Sequence, residues 1–352
     1  MKVLIIGGGV AGLSLGHQLE QKGVDFLILT EQENHSTRVA AGMINPFVFR
    51  RMLKSWQADT LIPYLNTFYR DLEEKTQEKF FHHIPIRRLF SSEDEANLWK
   101  ERSEDDNYKH YVQLDVRPHP SYAKDTFGQG YVLKGGYIHS ATFLRANRQY
   151  FEEKGLLKYA SISYEDLNIE TKTYQGESYD KILFAEGYKG KENPWFNYLP
   201  LGQTKGELLD ISSNELREDE ILNRKCFVLP VGDKHFKLGA TFDWNTTDLT
   251  PTESKKQELL EKYAINSTAE FTINEHITGI RPTSPDRRPF LGEHPKHKDL
   301  FIFNGLGTKG YMLAPYLSEH LLQHIFEGAD LIDEVNIQRF HKRFRKQEAG
   351  EL

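Results

Sequence analysis

The chain has 352 residues, which is long enough to form two hydrophobic cores and too long for a small disulfide-stabilised scaffold. Its 45 lysines and arginines against 51 acidic residues leave a net charge of -6, which argues against a basic nucleic-acid-binding surface. Cys226 is the single cysteine, which excludes an internal disulfide, an iron–sulfur site and a multi-cysteine zinc site.

Hydropathy and cysteine usage together predict a cytoplasmic location. No apolar run approaches the roughly 18 residues that a membrane helix needs. Three glycines at 7 to 9 interrupt the apolar N-terminal segment, so it does not resemble a signal peptide. We therefore expect neither a membrane span nor a nucleic-acid partner, and homo-oligomerisation stays open.

The first thirty residues have the pattern of a dinucleotide-binding βαβ unit. VLII at 3 to 6 is typical of a strand buried on both faces, and FLIL at 26 to 29 predicts the next strand. Gly7, Gly9 and Gly12 lie between them in G-x-G-x-x-G spacing. Such glycines permit a tight turn and let backbone N–H groups approach a pyrophosphate, so the pattern predicts a dinucleotide site.

The acidic residue that usually binds the ribose ends the second strand. By spacing that position is Thr30, and Glu31 is next to it. Glu31 is our candidate for the ribose contact. In the alternative interpretation Glu31 is a solvated carboxylate, and Thr30 and backbone groups hold the ribose.

The middle of the chain shows neither repeats nor a flexible linker, so two domains are expected to interleave. Capping patterns at Ser92 and Thr250 predict helices over about 93 to 102 and 251 to 263. Three β-branched or aromatic runs predict an antiparallel sheet that serves as a substrate platform: FVLPV at 227 to 231, FKLGATF at 236 to 242 and EFTINEHITGI at 270 to 280.

Two further predicted strands end in glycine-containing turns, at 179 to 187 and 300 to 310. The second leads into an apolar helix over 314 to 326, with Pro315 in its first turn and Gly328 after its end. A glycine loop at a helix N-terminus favours an anion. Both ends of the chain therefore indicate one large, partly anionic ligand.

Several segments together resemble the D-amino-acid oxidase family of flavoproteins, which includes glycine oxidase and sarcosine oxidase. The resemblance covers essentially the whole chain. Its segments are GGGVAG at 7 to 12, STRVAAGMINP at 36 to 46, GYIHSATFLRA at 136 to 146, ILFAEG at 182 to 187, GIRPTSPDRRPFLGEHP at 279 to 295 and FNGLGTKGYMLAP at 303 to 315.

The resemblance implies an α/β fold, α+β overall, in which a Rossmann-like FAD-binding domain is interleaved with a substrate domain on a mixed, mostly antiparallel sheet. The FAD-binding domain would comprise residues 1–80, 137–196 and 281–352, and the substrate domain residues 81–136 and 197–280. No cysteine occurs at 279 to 295, where sarcosine oxidase relatives attach the flavin, so noncovalent FAD is expected.

The resemblance also implies which residues contact FAD. They lie at strand ends and glycine turns: Gly7, Gly9, Val10, Ala11, Gly12, Thr30, Glu31, Thr37, Arg38, Ala41, Gly42, Met43, Ala185, Gly187, Gly305, Gly307, Thr308, Lys309, Gly310, Tyr311 and Met312. Lys309 and the neighbouring backbone N–H groups would lie at the flavin edge that becomes negative on reduction, although Lys309 could equally face solvent.

The implied reaction is oxidation of a C–N bond in a small amine or amino acid, with O2 as the usual electron acceptor. Three alternatives stay open. The first is a dehydrogenase that passes electrons to a quinone or a protein, and the second is a flavin-binding protein without turnover. The third is oxidation of a modified tRNA base, against which the net charge argues.

Two residues are the candidates for catalytic roles. Arg281 falls where glycine oxidase-like members bind the substrate carboxylate, a task that suits the guanidinium fork; the alternative is a structural arginine at a strand end. Lys237 falls where sarcosine oxidase-like members carry a lysine that promotes reaction with O2; the alternative is an exposed strand lysine.

Three further residues are candidates for substrate contacts. Phe227 and Tyr311 could shape the cavity, although core packing is the alternative for Phe227. Phe227 has no hydroxyl where some members place a carboxylate-binding tyrosine, which argues against glycine or D-alanine specificity. Arg50 could approach the flavin or a second acidic group, or could be solvated.

No metal site is predicted. His82 with His83, and His294 with His297, lack the supporting ligands of a metal site, and we interpret both pairs as surface histidines.

Overall fold

The computed structural model describes residues 1–33, 36–114 and 117–351. Its helices are α1 (Val10–Gln21), α2 (Ala58–Thr76), α3 (Glu93–Glu104), α4 (Ser140–Glu153), α5 (Glu253–Asn266), α6 (Gly310–Glu327) and α7 (His341–Glu348). Its strands are β1 (Lys2–Ile6), β2 (Asp25–Thr30), β3 (Met43–Ile44), β4 (Phe47–Val48), β5 (Leu53–Lys54), β6 (Phe81–His82), β7 (Ile86–Leu89), β8 (Val112–Leu114), β9 (Gln129–Val132), β10 (Gly136–Ile138), β11 (Leu157–Tyr159), β12 (Leu167–Asn168), β13 (Thr173–Tyr174), β14 (Glu177–Ser178), β15 (Lys181–Phe184), β16 (Gly202–Ser212), β17 (Ile221–Asn223), β18 (Phe227–Gly232), β19 (His235–Gly239), β20 (Thr272–Thr283), β21 (Phe290–Glu293) and β22 (Leu300–Asn304).

A six-stranded sheet contains both ends of the chain. Its order is β11-β2-β1-β15-β22-β21, and every neighbouring pair is parallel except β21 with β22. Both faces of β1 carry buried apolar side chains. Helices α1 and α6 cover one face, and the segment that includes Phe196 to Leu201 covers the other. The predicted strands at both ends of the chain therefore pair in one sheet.

An eight-stranded sheet lies across from it, in the order β20-β16-β19-β18-β17-β7-β9-β8. All of its pairs are antiparallel except β17 with β7. The predicted α/β fold class, with a mixed and mostly antiparallel second sheet, is confirmed. The boundaries of the two domains stay a prediction.

Long-range contacts decide two of the element ends at which the structure differs from the prediction. Helix α5 begins at Glu253 rather than 251, since the Thr252 N–H and hydroxyl both donate to the Glu207 carboxylate, at 2.9 and 3.1 Å. Strand β19 pairs with both β18 and β16 and ends at Gly239, after which the chain continues along β16 alone, with Asp243 opposite Lys205. The predicted cap at Ser92 is confirmed, since its side chain accepts from the Glu95 N–H.

Helix α6 begins at Gly310, four residues before the predicted start, so that Pro315 lies beyond the first turn. Proline has no N–H to bond to the carbonyl four residues earlier. That carbonyl, of Tyr311, accepts a hydrogen bond of 2.5 Å from the Tyr69 hydroxyl of α2. The predicted end is confirmed, with Gly328 in the left-handed conformation at φ 72°.

The interpretation of His294 as a surface residue is wrong. Its side chain is 6% exposed and packs against aromatic rings that include Phe196 and Phe344. Burial lowers the pKa of His294 to about 4, and its Nε2 lies 3.0 Å from the Trp195 carbonyl oxygen. Among the described residues, no helix has the length and apolar character needed to cross a membrane.

Candidate active site

A cavity of about 860 Å³ lies between the carboxyl ends of the parallel strands and one face of the eight-stranded sheet. The loops that follow β1, β2, β15 and β22 line one side of it. The other side consists of residues that share one face of β16, β18, β19 and β20, among them Gly206, Leu208, Phe227 and Gly239. The site therefore combines the two regions that the sequence pattern assigned to cofactor and substrate.

The glycine turn after β1 is packed too tightly for side chains. A Cβ at Gly7, where φ is 111°, would lie 2.3 Å from the Ala185 carbonyl oxygen. A Cβ at Gly12 would lie 1.7 Å from the Gly7 carbonyl oxygen. The first turn of α1 carries no acidic residue, so an anion at this helix N-terminus meets no carboxylate from the helix. This backbone arrangement suits a pyrophosphate.

Arg148 of α4, which the sequence pattern did not indicate, supports this turn from behind. Its guanidinium donates to the Gly8 carbonyl oxygen at 3.1 Å and to the Thr30 hydroxyl oxygen at 3.0 Å. Thr30 and Glu31 both line the cavity, and Glu31 forms an ion pair with Lys189. The ribose contact of Glu31 stays a prediction.

A buried carboxyl group, Glu186, lies in the wall between Ala185 and Gly187. It accepts hydrogen bonds from the Tyr164 hydroxyl at 2.6 Å and from the Asn193 side-chain amide at 2.8 Å. Burial raises the pKa of Glu186 to about 7, an effect that the two hydrogen bonds oppose. The sequence motif indicated its two neighbours, Ala185 and Gly187, but not Glu186 itself.

The segment 36–46 contacts both sides of the cavity. The Thr37 hydroxyl accepts from the Val10 N–H at 3.1 Å, and its carbonyl oxygen accepts from the Tyr311 hydroxyl at 3.0 Å. The Ser36 hydroxyl donates to the Ile280 carbonyl oxygen at 2.6 Å, which ties the segment to β20. Because its hydroxyl bonds to the backbone, Tyr311 contributes its ring rather than its hydroxyl to the cavity.

Lys309 is half-buried at the start of α6. Its Nζ donates to the Asn45 carbonyl oxygen at 2.8 Å and to the Ser55 hydroxyl. Burial lowers the pKa of Lys309 to about 8, with no charged group contributing. A half-buried cation without a carboxylate partner among the described residues favours a site where a ligand brings negative charge.

Arg281 extends from β20 over the strand β16. Its Nη1 and Nη2 both donate to the Thr241 carbonyl oxygen at 3.2 Å, and Nη1 also donates to the Lys205 carbonyl oxygen at 3.4 Å. Burial alone lowers the pKa of Arg281 to about 10. The guanidinium therefore stays charged in the cavity wall and is held by carbonyl groups rather than by a carboxylate.

Lys237 is part of the same sheet face but does not line the cavity. Its Nζ donates to the Ala40 carbonyl oxygen at 2.9 Å, behind the wall formed by segment 36–46. Burial lowers the pKa of Lys237 to about 8, an effect that the charge of Asp210 opposes. The structure thus brings Lys237 into contact with segment 36–46, which separates it from the cavity.

Most of the predicted cofactor and substrate residues meet in this cavity, and a few do not. Met312 is buried in the core, Gly12 and Gly305 pack behind the wall, and the side chain of Arg50 lies outside the described residues. Arg38 is exposed and lines a separate cavity of about 410 Å³ together with Arg145 and Arg148. The structure does not bring Gly12, Arg38, Gly305 or Met312 to the main cavity.

Comparisons with known proteins agree with this arrangement. The family model described as FAD dependent oxidoreductase matches residues 2–323. The glycine oxidase of Pseudomonas aeruginosa is 25% identical over 360 aligned positions, which cover 94% of this chain and 96% of that protein. The tRNA 5-methylaminomethyl-2-thiouridine biosynthesis bifunctional protein MnmC of Marinobacter nauticus is 22% identical over 92% of this chain, which spans 55% of the relative. The crystal structure of L-proline dehydrogenase from P. horikoshii superposes with a TM-score of 0.80 at 17% identity, covering 100% of this chain and 98% of that one.

The residues present in the cavity fit FAD. The glycine turn leaves backbone close to the cavity, and the helix N-terminus and the half-buried Lys309 both favour the negative charge that FAD brings as pyrophosphate and reduced flavin. We assign Gly7, Gly9 and Val10 to the pyrophosphate, Glu31 to the ribose and Lys309 to the flavin, as a proposal. FAD is the cofactor of this family.

Proposed function

Since the chain belongs to the FAD dependent oxidoreductase family and is of the glycine and amino-acid oxidase kind, we propose that it oxidises the C–N bond of a carboxylate-bearing amine. The observation that carries this proposal is the charged Arg281 guanidinium in the wall of the cavity that contains the glycine turn. A carboxylate there would neutralise a cation that the described residues leave without an acidic partner.

Different cavity residues bind the substrate carboxylate and shield the reacting carbon. A guanidinium has five N–H donors, and its bonds to carbonyl oxygens use only some of them, so Arg281 can also bind a carboxylate through charged hydrogen bonds. FAD, when bound, supplies the acceptor for a hydride from the carbon next to the amine. Phe227 and Leu208 give the sheet side an apolar surface, which limits the access of water to that carbon.

The overall change balances with water and O2 as the co-reactants. The substrate loses a hydride from carbon and a proton from nitrogen, and water then converts the imine into a carbonyl compound and an amine. We propose O2 as the final acceptor, which takes up two electrons and two protons to give hydrogen peroxide. Hydride transfer of this kind depends on alignment, which suits a cavity whose charged groups are held by carbonyl oxygens.

Anaerobic reduction of the purified protein tests this proposal. We expect a yellow protein whose flavin absorbance is bleached by one member of a panel of D-amino acids, L-amino acids and N-methyl amino acids, with peroxide released in air. Arg281→Leu should raise KM for that substrate by well over tenfold. Arg70→Leu, which removes an exposed arginine on α2, is the matched control and should leave KM unchanged.

Three results would contradict the proposal. A protein that releases no FAD on denaturation would remove the cofactor, and an unchanged KM in Arg281→Leu would remove the carboxylate contact. Bleaching without peroxide in air would favour a quinone or protein as the acceptor instead of O2.

A further inference from the structure

The segment after β19 continues along β16 and carries two aromatic rings. The Thr241 N–H donates to the Glu207 carbonyl oxygen at 3.1 Å, and Lys205 and Asp243 exchange backbone hydrogen bonds of 2.9 Å in each direction. This register places Phe242 opposite Gly206. Because side chains alternate along an extended segment, Phe242 and Trp244 both lie on the face that carries Gly206.

Arg281 joins these rings in one series of flat groups. A Cβ at Gly206 would lie 2.1 Å from Arg281 Nη2, so the guanidinium lies directly over the glycine. Its central carbon is 4.5 Å from the centre of the Phe242 ring. The Phe242 and Trp244 rings are stacked, with centres 6.0 Å apart and planes inclined by 16°. The series runs from the Arg281 guanidinium outwards, through the Phe242 ring, to the Trp244 indole.

The two rings are exposed although large apolar side chains are usually buried. Phe242 is 43% exposed and lines the cavity, and Trp244 is 73% exposed beyond it. A stacked pair of exposed rings that continues a ligand cavity is more typical of a binding surface than of a folded core.

Buried charges hold the segment in place, so the rings are presented by a fixed backbone. The fully buried Lys205 donates to the Thr250 carbonyl oxygen at 2.6 Å and to the Asp248 carboxylate at 3.2 Å. Glu207 accepts from the Thr252 N–H at 2.9 Å. Both ends of the stretch from Thr241 to Thr252 are therefore anchored to β16.

We propose that Phe242 and Trp244 form a stacking surface for a flat ring in the substrate, so that the preferred substrate is an amino acid bearing an aromatic or heteroaromatic ring. Its carboxylate binds Arg281 and its ring packs against the exposed parts of the Phe242 and Trp244 rings. The observation that favours this occupant is a cation that no described carboxylate pairs with, next to a flat apolar surface, which together complement an anion joined to a ring. This inference rests on the proposed function for the role of Arg281.

Pairs of substrates that differ only in the ring test the inference. N-Benzylglycine is compared with N-methylglycine. Phenylalanine is compared with alanine, and both of these amino acids are tested as the D and the L enantiomer. In the wild type we expect a higher kcat/KM for the ring-bearing member of a pair. Trp244→Ala should lower the ratio of the two values about tenfold, the size expected for losing one stacking partner, and Trp244→Phe should retain most of it. Trp56→Phe, which changes a tryptophan bonded to Glu334 outside the cavity, should leave the ratio unchanged.

The outcomes separate this inference from the proposed function. If no amine bleaches the flavin, the proposed function fails, and tryptophan fluorescence then tests the surface directly. Quenching by N-benzylglycine that is lost in Trp244→Ala supports the surface, and equal responses of the two proteins overturn it. The inference is also overturned if Trp244→Ala leaves the ratio of the two kcat/KM values unchanged. If the variant in that case converts an oligomer to a monomer, the rings belong to an interface between copies of the chain.

Discussion

The guanidinium of Arg281 occupies the position where a side chain of residue 206 would lie. A Cβ at Gly206 would come within 2.1 to 2.3 Å of three guanidinium atoms. The glycine thus sets the position of the cation in the cavity, although the two residues are far apart in the chain.

Gly206→Ala should move the guanidinium without unfolding the protein. The clash falls on the end of a flexible side chain rather than on backbone, so we expect a change in melting temperature of only a few degrees. KM for the carboxylate substrate should rise about tenfold, because a displaced fork loses its alignment. Differential scanning fluorimetry and steady-state kinetics measure the two effects. An unaltered KM would show that the carboxylate binds elsewhere.

Lys237→Met should slow reoxidation of the reduced flavin by about tenfold or more, if the lysine charge stabilises the negative charge that develops on O2. The folded pKa of Lys237 is lowered to about 8, so its charge is present below that pH and is lost above it. Reoxidation in the wild type should therefore slow as pH rises through 8, and in Lys237→Met it should not.

Lys309 has the same lowered pKa and is the necessary comparison for this measurement. Stopped-flow reoxidation of Lys309→Met distinguishes the two lysines. If only Lys309→Met loses the pH dependence, the O2 role belongs to Lys309; an unaltered O2 rate constant in Lys237→Met removes that role from Lys237.

Glu186 should make FAD binding depend on pH. Its pKa is raised from 4.5 to about 7 by burial, so the group is neutral at pH 6 and largely ionised at pH 8, where it repels the anionic cofactor. We expect the affinity of the apoprotein for FAD to fall several-fold between pH 6 and 8. Glu186→Gln should have a nearly constant affinity. Quenching of FAD fluorescence on titration measures it, and a parallel fall in both proteins would exclude Glu186 as the cause.

The same group should affect the stability of the apoprotein with a defined sign. Between pH 4.5 and 7 the folded state keeps a proton that the unfolded state has released, so stability contributed by Glu186 falls as pH rises through this window. The free energy of unfolding by urea should decline less in Glu186→Gln over the same range. Equal slopes would indicate that the group is solvated in the folded state.

Tyr69→Phe tests the contact that compensates for Pro315. Without the hydroxyl, the buried Tyr311 carbonyl oxygen has lost the hydrogen bond that it accepts in place of the helical one. The cost expected for leaving one buried acceptor unsatisfied is about 1 to 3 kcal/mol. Urea unfolding measures this loss of stability. Tyr316→Phe, which removes a hydroxyl from α6, serves as the control. A difference within error would mean that water satisfies the carbonyl.

Short stretches of sequence were enough to predict the elements that depend on neighbours in the chain. The strand at 3 to 6, the glycine turn and α1 lie within one βαβ unit, and Ser92 caps α3 through a residue three positions away. Such features depend on local φ and ψ preferences, apolar periodicity and capping, all of which can be seen in a few consecutive residues. The family motifs extended this prediction to the cofactor.

Contacts across the fold decided the remainder of the candidate site. The turn at Gly8 depends on Arg148, the burial of Glu186 depends on Tyr164 and Asn193, and the start of α5 depends on Glu207. The register of β16 with β20 and with the segment after β19 places Gly206 beside both Arg281 and Phe242. The amino-acid pattern alone determined the cofactor-binding fold. Strand register and burial arise from packing among residues distant in sequence, so the tertiary structure decided which side chains form the wall of the substrate cavity.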